Sequence, residues 1–418
     1  MGSFAGFGPL DEHVRTRPAQ AVDRWLLSLL RKSLGDAPVR IVLWDGTEHR
    51  PAASPIATLL VRDRKTLIAV LLDPDLNLGE AYAAGRIEVQ GDLVALNEEV
   101  FRALQHRGYT AVPWARHLSL SLGRNTLRRS RGDIHHHYDL GNAFYRLWLD
   151  RQLVYTCAYF PTPAATLEEA QEAKMDYVCR KLDLRAGERV VEAGCGWGSL
   201  ALHMARHYGV SVRAFNISRE QVRYARRRAE DEGLADRVDF VLDDYRRIDE
   251  RCDAFVSVGM LEHVGLRNYR TLGSVIDRCL APRRGRGLLH FIGRNRLRPL
   301  NAWVSKRIFP GAYPPTLRQV MDEILEPWSF SVLDVENLRL HYARTLRHWL
   351  DRFEGAEGEV ARMFDQRFVR AWRLYLAGSE AAFATGWLQL FQVAFARPDR
   401  DGGPWTRADL YGGPRPPA

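Results

Sequence analysis

Val190-Val191-Glu192-Ala193-Gly194-Cys195-Gly196-Trp197-Gly198 runs from an apolar strand into a glycine turn, and Ser199–Tyr208 behind it reads as a helix. Glycine at such a turn adopts backbone angles that other residues avoid and lets a ligand approach the main chain. The spacing is G-x-G-x-G, whereas the dinucleotide fingerprint is G-x-G-x-x-G. The difference favours a nucleoside without a pyrophosphate, such as S-adenosylmethionine.

Outward from this turn, strands and helices alternate from about Ala173. The strand candidates are Arg189–Ala193, Ser211–Ile217, Val238–Leu242, Ala254–Val258 and Gly287–Ile292. Ser199–Tyr208, Arg219–Gly233 and Tyr269–Leu280 are the helices between them. That alternation predicts a parallel sheet with the glycine turn at its first strand, where open α/β sheets bind ligands. The second strand ends Phe215-Asn216-Ile217-Ser218, followed by Arg219-Glu220-Gln221. Many sites of this kind place an acid there for the ribose hydroxyls; here Asn216 and Gln221 would have to serve. The third strand ends Asp243-Asp244-Tyr245, where an acid could accept from an adenine amino group or cap a helix.

Residues 1 to about 100 read as a small α+β domain. A helix over Ala21–Leu34 precedes strand-like runs at Val39–Trp44, Thr58–Val61 and Thr66–Leu71, and Gly79–Asp92 reads as a small helix and a hairpin. Residues 101–132 form a basic linker or surface helix, residues 133–397 the larger domain, and the Pro- and Gly-rich tail over 398–418 is expected to fray.

Composition sets the outer limits. With 418 residues, 46% hydrophobic and 27% charged, the chain is long enough for two folded domains and is not a disordered polymer. No apolar run reaches the roughly 18 residues needed to cross a bilayer, and Met1–Leu10 lacks the pattern of a signal peptide. The five cysteines are scattered, with no CxxC pair, which fits reduced thiols in a cytoplasm. His135-His136-His137 are consecutive and cannot easily converge on one ion, so no metal is expected. The net charge is +9. Residues 101–132 hold seven arginines and no acid, and 283–307 form a second acid-free basic stretch. Such stretches suit a phosphate-rich partner, either nucleic acid or an anionic lipid surface.

Several separated segments decide between these partners. They are His135-His136-His137-Tyr138-Asp139, Tyr155-Thr156-Cys157-Ala158-Tyr159-Phe160 and Glu192 to Gly198, followed by Gly259-Met260-Leu261-Glu262-His263-Val264-Gly265 and His290-Phe291-Ile292-Gly293. Ile308-Phe309-Pro310-Gly311 and His341-Tyr342-Ala343-Arg344-Thr345-Leu346 complete them. In this order they resemble the cyclopropane-fatty-acyl-phospholipid synthase and mycolic acid cyclopropane synthase family, over roughly residues 130 to 395. The first hundred residues are more loosely similar to a small lipid-associated domain of the longer members.

The resemblance implies a Rossmann-like class I methyltransferase domain with a seven-stranded, mostly parallel sheet, beside the small N-terminal α+β domain. It implies that a methylene unit passes from S-adenosylmethionine to the double bond of an unsaturated phospholipid acyl chain. Bound bicarbonate is then the base that closes a cyclopropane ring. A sulfonium methyl must be held in line with a poor nucleophile in a dry pocket, aromatic faces can stabilise a carbocation, and a base must remove a proton. The base site implied comprises Cys157, Glu262, His290, Tyr342 and the backbone at Ile292. The cofactor contacts implied are Tyr138, Tyr155, Thr156, Gly194, Cys195, Gly196, Asn216, Ile217, Gln221, Asp244 and Tyr245.

Four positions depart from the family pattern. Thr156 stands where serine is common, Glu192 for an aspartate, Asn216 for a threonine, and Ser379 for a cysteine often regarded as catalytic. Taken singly, Cys157, His290 and Tyr342 could equally be packing residues and Glu262 a helix cap. The expected partner is a phospholipid membrane, with the enzyme peripheral on its inner, cytoplasmic face and a homodimer left open. Trp114, Trp303, Phe309 and Tyr313 are placed at the interface on that reading. The rivals are a branching C-methyltransferase, an inactive lipid-binding protein and a nucleic-acid methyltransferase. The last lacks its usual Asn-Pro-Pro-Tyr-like or Pro-Cys motif after the fourth strand.

Overall fold

A computed structural model describes residues 18–35, 37–51, 53–107, 140–400, 402–403 and 406–411. His135 to His137, Tyr138, Trp114 and most of the first arginine stretch lie outside these residues. The chain divides into two compact units. One joins the described N-terminal residues to Pro299–Pro310 and Leu346–Trp387; the other takes the described residues up to Arg298, then Gly311–Thr345 and those from Leu388 onward.

The first unit is built on a four-stranded sheet of β1 (Val39–Leu43), β2 (Glu48–His49), β3 (Ala57–Val61) and β4 (Ile87–Gly91), in the order β2-β1-β3-β4. Alternate residues of β1 and β3 are buried, the pattern of strands with one covered face. Thr66–Leu71, read from sequence as strand-like, belongs instead to a helix over Arg64–Leu72. Asp63 caps it, accepting from the Thr66 amide at 2.7 Å and the Thr66 hydroxyl at 3.0 Å. A short apolar run carries no period of its own, and here the cap decides. Within Gly79–Asp92 the expected hairpin is absent. The helix Pro74–Ala83 ends there, and β4 pairs antiparallel with β3. The helix Gln366–Ala384 packs on Pro74–Ala83 and Leu93–Arg107, and Arg370 donates to the carbonyls of Tyr82 and Ile87.

The second unit carries a seven-stranded sheet. Its strands are β5 (Arg189–Ala193), β6 (Ser211–Asn216), β7 (Val238–Leu242), β8 (Ala254–Val258), β9 (Arg286–Gly293), β10 (Ser331–Asn337) and β11 (Gln389–Ala396), in the order β10-β11-β9-β8-β5-β6-β7. β9, β8, β5, β6 and β7 are parallel, and β11 runs antiparallel between β9 and β10. Two apolar clusters form its core, one including Val190, Val212 and Val256, the other Val191, Phe255 and Phe291. β5 lies between β6 and β8, so the chain leaves it in opposite directions and a crevice opens at its carboxyl end.

The second arginine stretch is not a continuous basic surface. Arg286 is buried, donating to the Asp183 carbonyl at 2.8 Å and pairing with Glu188 at 2.5 Å. Arg294 is buried with its guanidinium 4.7 Å from the Tyr313 ring centre. Arg307 pairs with Glu80 at 2.8 Å. The acids come from distant parts of the chain, which a local count cannot see. Trp303 is likewise no interface residue. It is buried against Gly79, where an added Cβ would lie 2.4 Å from the indole.

Candidate active site

The loop after β5 is held by its neighbour strand, with the amides of Gly194 and Cys195 donating to the Phe215 carbonyl at 2.9 and 3.2 Å. Gly196 has φ +53°, and a side chain there would meet no protein atom within 4 Å, so its outer face is open to a ligand. Gly198, at φ +86°, is a glycine for the opposite reason: a Cβ would sit 2.6 Å from Phe240 and 2.9 Å from Ala225. Asn216 Nδ2 donates to the Gly196 carbonyl at 3.1 Å and to Gln221 Oε1 at 2.8 Å, tying the end of β6 to the loop.

A cavity opens over this loop. Its lining includes Tyr155, Thr156, Gly194, Cys195, Gly196, Asn216 and Gln221, seven of the positions singled out for a cofactor. Lys174, Glu192, Trp197, Met260 and His263 also line it. Tyr155 packs on Tyr145 and Trp148, with ring centres 5.6 and 5.2 Å away. Ile217, Asp244 and Tyr245 are not on the lining. The Asp244 carboxylate is taken by Arg246, at 2.7 and 2.8 Å, and by the Arg246 amide at 3.0 Å, so it caps the turn Tyr245–Arg247. Tyr245 is buried, its hydroxyl without a partner among the described residues.

Of the second group of expected residues, Glu262, His290 and Ile292 lie at the ends of β8 and β9, and none of the five is on the cavity lining. His290 and Ile292 stand two apart on one face of β9. Glu262 comes from the short helix Leu261–Val264 that follows β8, and accepts a hydrogen bond from the Ile292 amide. Its second oxygen is buried with no partner among the described residues. Burial raises the Glu262 pKa to about 7, despite the Ile292 hydrogen bond. His290 Nδ1 lies 3.0 Å from Gln392 Nε2. With that amide as donor, the ring proton sits on Nε2, which is buried and without a partner among the described residues. Burial pushes the His290 pKa well down, so the ring is neutral. Cys157 is buried with its thiol donating to the Ala158 carbonyl at 3.2 Å, and desolvation pushes the thiol pKa up. Tyr342 is buried near the start of the helix Arg339–Gly355.

Sequence reading missed Lys174. It lies on the helix Leu167–Lys181, which is started by a capping box between Thr166 and Glu169. Leu167, Ala170, Gln171, Lys174, Met175 and Val178 are all buried, so the helix hides a lysine on its core-facing stripe. A lysine in phase with apolar residues was the available signal. Burial lowers its pKa to about 8, offset in part by Asp150 ahead of Glu192, and raises that of Glu192 to about 8, offset in part by Lys174.

A glycine loop lining a cavity at the switch point of a sheet of this order defines a class I S-adenosylmethionine-dependent methyltransferase. Residues 125–393 match the family model of mycolic acid cyclopropane synthetase, and the chain belongs to that family. It is an S-adenosylmethionine-dependent methyltransferase of the cyclopropane-fatty-acyl-phospholipid synthase type. Residues 26–106 match a domain family of unknown function, DUF7884. A probable fatty acid methyltransferase of Pseudomonas putida is 39% identical over 388 residues, covering 90% of this chain and 96% of its own. The cyclopropane-fatty-acyl-phospholipid synthase of Escherichia coli (strain K12) is 43% identical over 263 residues, covering 62% of this chain and 66% of its own. The solved structure of mycolic acid cyclopropane synthase CmaA1 complexed with SAH and CTAB matches with a TM-score of 0.61 at 28% identity. It covers 64% of this chain and 98% of that one.

Proposed function

We propose that the protein transfers a one-carbon unit from S-adenosylmethionine to the double bond of an unsaturated phospholipid acyl chain and closes a cyclopropane ring. The observation that carries this is a glycine-loop cavity lined by Gly259, Met260 and His263, on the segment that carries the buried Glu262 and whose Gly259 amide donates to the His290 carbonyl at 2.9 Å. When bound, S-adenosylmethionine supplies an electrophilic methyl group and bicarbonate supplies a base for a carbon-bound proton. The residues present fit a small oxyanion. His290 Nε2 offers an unpartnered N–H, and Glu262, holding its proton near neutral pH, offers an O–H from its unpartnered oxygen. Cys157 stays a neutral thiol. The Ile292 amide is already engaged by Glu262, so it reaches an anion only by giving up that bond.

The branched-chain product is the second reading. The Pseudomonas putida relative, matched over 90% of this chain, is named a fatty acid methyltransferase. Both outcomes share the methyl transfer and differ in which proton leaves. The substrate partner is a phospholipid membrane met from its cytoplasmic side, and Arg283, Arg284 and Arg296 are exposed cations suited to anionic headgroups. No helix among the described residues is long and apolar enough to cross a membrane.

The reading is tested by incubating the protein with methyl-labelled S-adenosylmethionine and vesicles of mono-unsaturated or fully saturated phospholipid. Label entering lipid from the unsaturated vesicles alone supports it. Label entering neither, or entering added nucleic acid, rejects it.

A further inference from the structure

Gln171 and Lys174 lie one turn apart on the buried side of the helix Leu167–Lys181. Gln171 Nε2 donates to the carbonyls of Val154 and Thr156 at 3.1 and 2.9 Å, which fixes the main chain beneath the cavity. Lys174 is 2% exposed, lines the cavity, and donates from Nζ to Thr156 Oγ1 at 3.0 Å. The Thr156 methyl packs against Gly259, where an added Cβ would stand 2.8 Å from it. Methyl and hydroxyl are therefore each held by a neighbour, and the rotamer has no freedom.

A hydroxyl has one hydrogen to give. Because Thr156 Oγ1 accepts from Lys174, its own hydrogen must find another acceptor, and Thr156 borders the cavity. Buried ammonium groups are costly and are kept where they have a task. Asp150, whose carboxylate already accepts the amides of Gln152 and Val154 at 2.8 Å each, contributes a negative charge near Lys174. Cys157, His203 and His290 also lie within its field. Glu192, its pKa raised to about 8 by burial, is largely protonated at neutral pH, so Lys174 keeps a positive field at Thr156 that favours the one anionic group of S-adenosylmethionine, its carboxylate.

We propose that Lys174 is a positioning residue of the cofactor site, which makes Thr156 a hydrogen-bond donor aimed at the carboxylate of the methionine moiety of S-adenosylmethionine. The proposal rests on reading the glycine-loop cavity as the cofactor site. It names the chemical group recognised at the Thr156 side of that cavity, through a residue remote from the glycine loop in sequence.

The test is calorimetric titration of the full chain with S-adenosylmethionine and with 5′-methylthioadenosine, which keeps the nucleoside and sulfur but lacks the amino-acid end. T156V and K174M should each weaken S-adenosylmethionine roughly 10-fold, the loss expected for one hydrogen bond to a charged group. The double variant should be no weaker than T156V, because Lys174 acts through Thr156. K174Q retains a donor and should recover most of the affinity. Methylthioadenosine binding should be unchanged throughout. Equal losses for both ligands in K174M would show a merely structural lysine and overturn the proposal, as would additive losses in the double variant. If T156V and K174M bind normally while G196A does not, the inference fails and the cavity reading stands. If G196A also binds normally, the cavity reading itself is wrong.

Discussion

Glu262 and Ile292 meet directly: one carboxylate oxygen accepts the Ile292 amide, and the other is buried with no partner among the described residues. On the proposed reading that second oxygen carries a proton toward the bound base. The variant E262Q preserves the shape and the amide contact but not the proton. Its turnover on unsaturated lipid should fall by at least ~100-fold, with S-adenosylmethionine affinity measured by titration little changed. In the wild type, turnover should drop in bicarbonate-depleted buffer and return on adding bicarbonate. Undiminished turnover in E262Q would remove Glu262 from the chemistry.

The same carboxyl makes stability depend on pH. Burial raises the Glu262 pKa from 4.5 to about 7 in the folded protein. Its contribution is therefore fully present below about 4.5 and is lost as pH rises through about 7. Between pH 5 and 8 the wild-type melting temperature should fall more than that of E262Q, by roughly 5 °C. Parallel melting profiles would mean that Glu262 does not change protonation in this range.

Gly196 and Gly198 should fail in different ways. Gly198→Ala sets a Cβ against Phe240 and Ala225 at a left-handed backbone, and should cost about 1–3 kcal/mol of stability in a denaturant titration. Gly196→Ala meets no protein atom and costs only about 1 kcal/mol for its left-handed φ, so its larger loss should be in cofactor affinity. The reverse pattern would place the ligand elsewhere than over Gly196.

Arg286 and Arg283 belong to one basic stretch in sequence but not in function. R286M leaves the Leu182 and Asp183 carbonyls without the buried guanidinium and breaks its pair with the partly buried Glu188, and should destabilise by about 2–4 kcal/mol. The exposed pair changed together, R283Q/R284Q, should leave melting unchanged and weaken binding to anionic vesicles, an effect that added salt should mimic. Vesicle binding indifferent to both salt and these arginines would remove them from the membrane contact.

The cofactor half of the site was legible because its signals are local. The β5 glycine turn and the apolar runs of β8 and β9 are contiguous, since strands buried on both faces read as nearly unbroken apolar stretches, while β6 and β7 show their strand period as buried residues alternating with exposed ones. β10 and β11 were not read. β10 is an edge strand with Val332, Leu333 and Val335 exposed, so it carries no buried run. β11 gains its meaning only from pairing with β9, about a hundred residues earlier. The helix Gln366–Ala384 gives no local sign that it packs with the N-terminal helices. The same holds for charge, since Arg286 and Arg307 find Glu188 and Glu80 only after folding. Lys174 was missed because a lysine is read as solvent-facing unless its helical phase is checked.

One-carbon transfer to an alkene leaves its mark on the fatty acids, where mass spectrometry reads it. The protein would be incubated with S-adenosylmethionine and mono-unsaturated phospholipid vesicles, and the acyl chains analysed intact and after fragmentation. A gain of one CH2 with loss of the double bond and a ring fragmentation pattern is the predicted result. The same gain with the alkene retained would assign the branching reaction instead. No gain, from protein that binds the cofactor, would exclude acyl-chain methyl transfer.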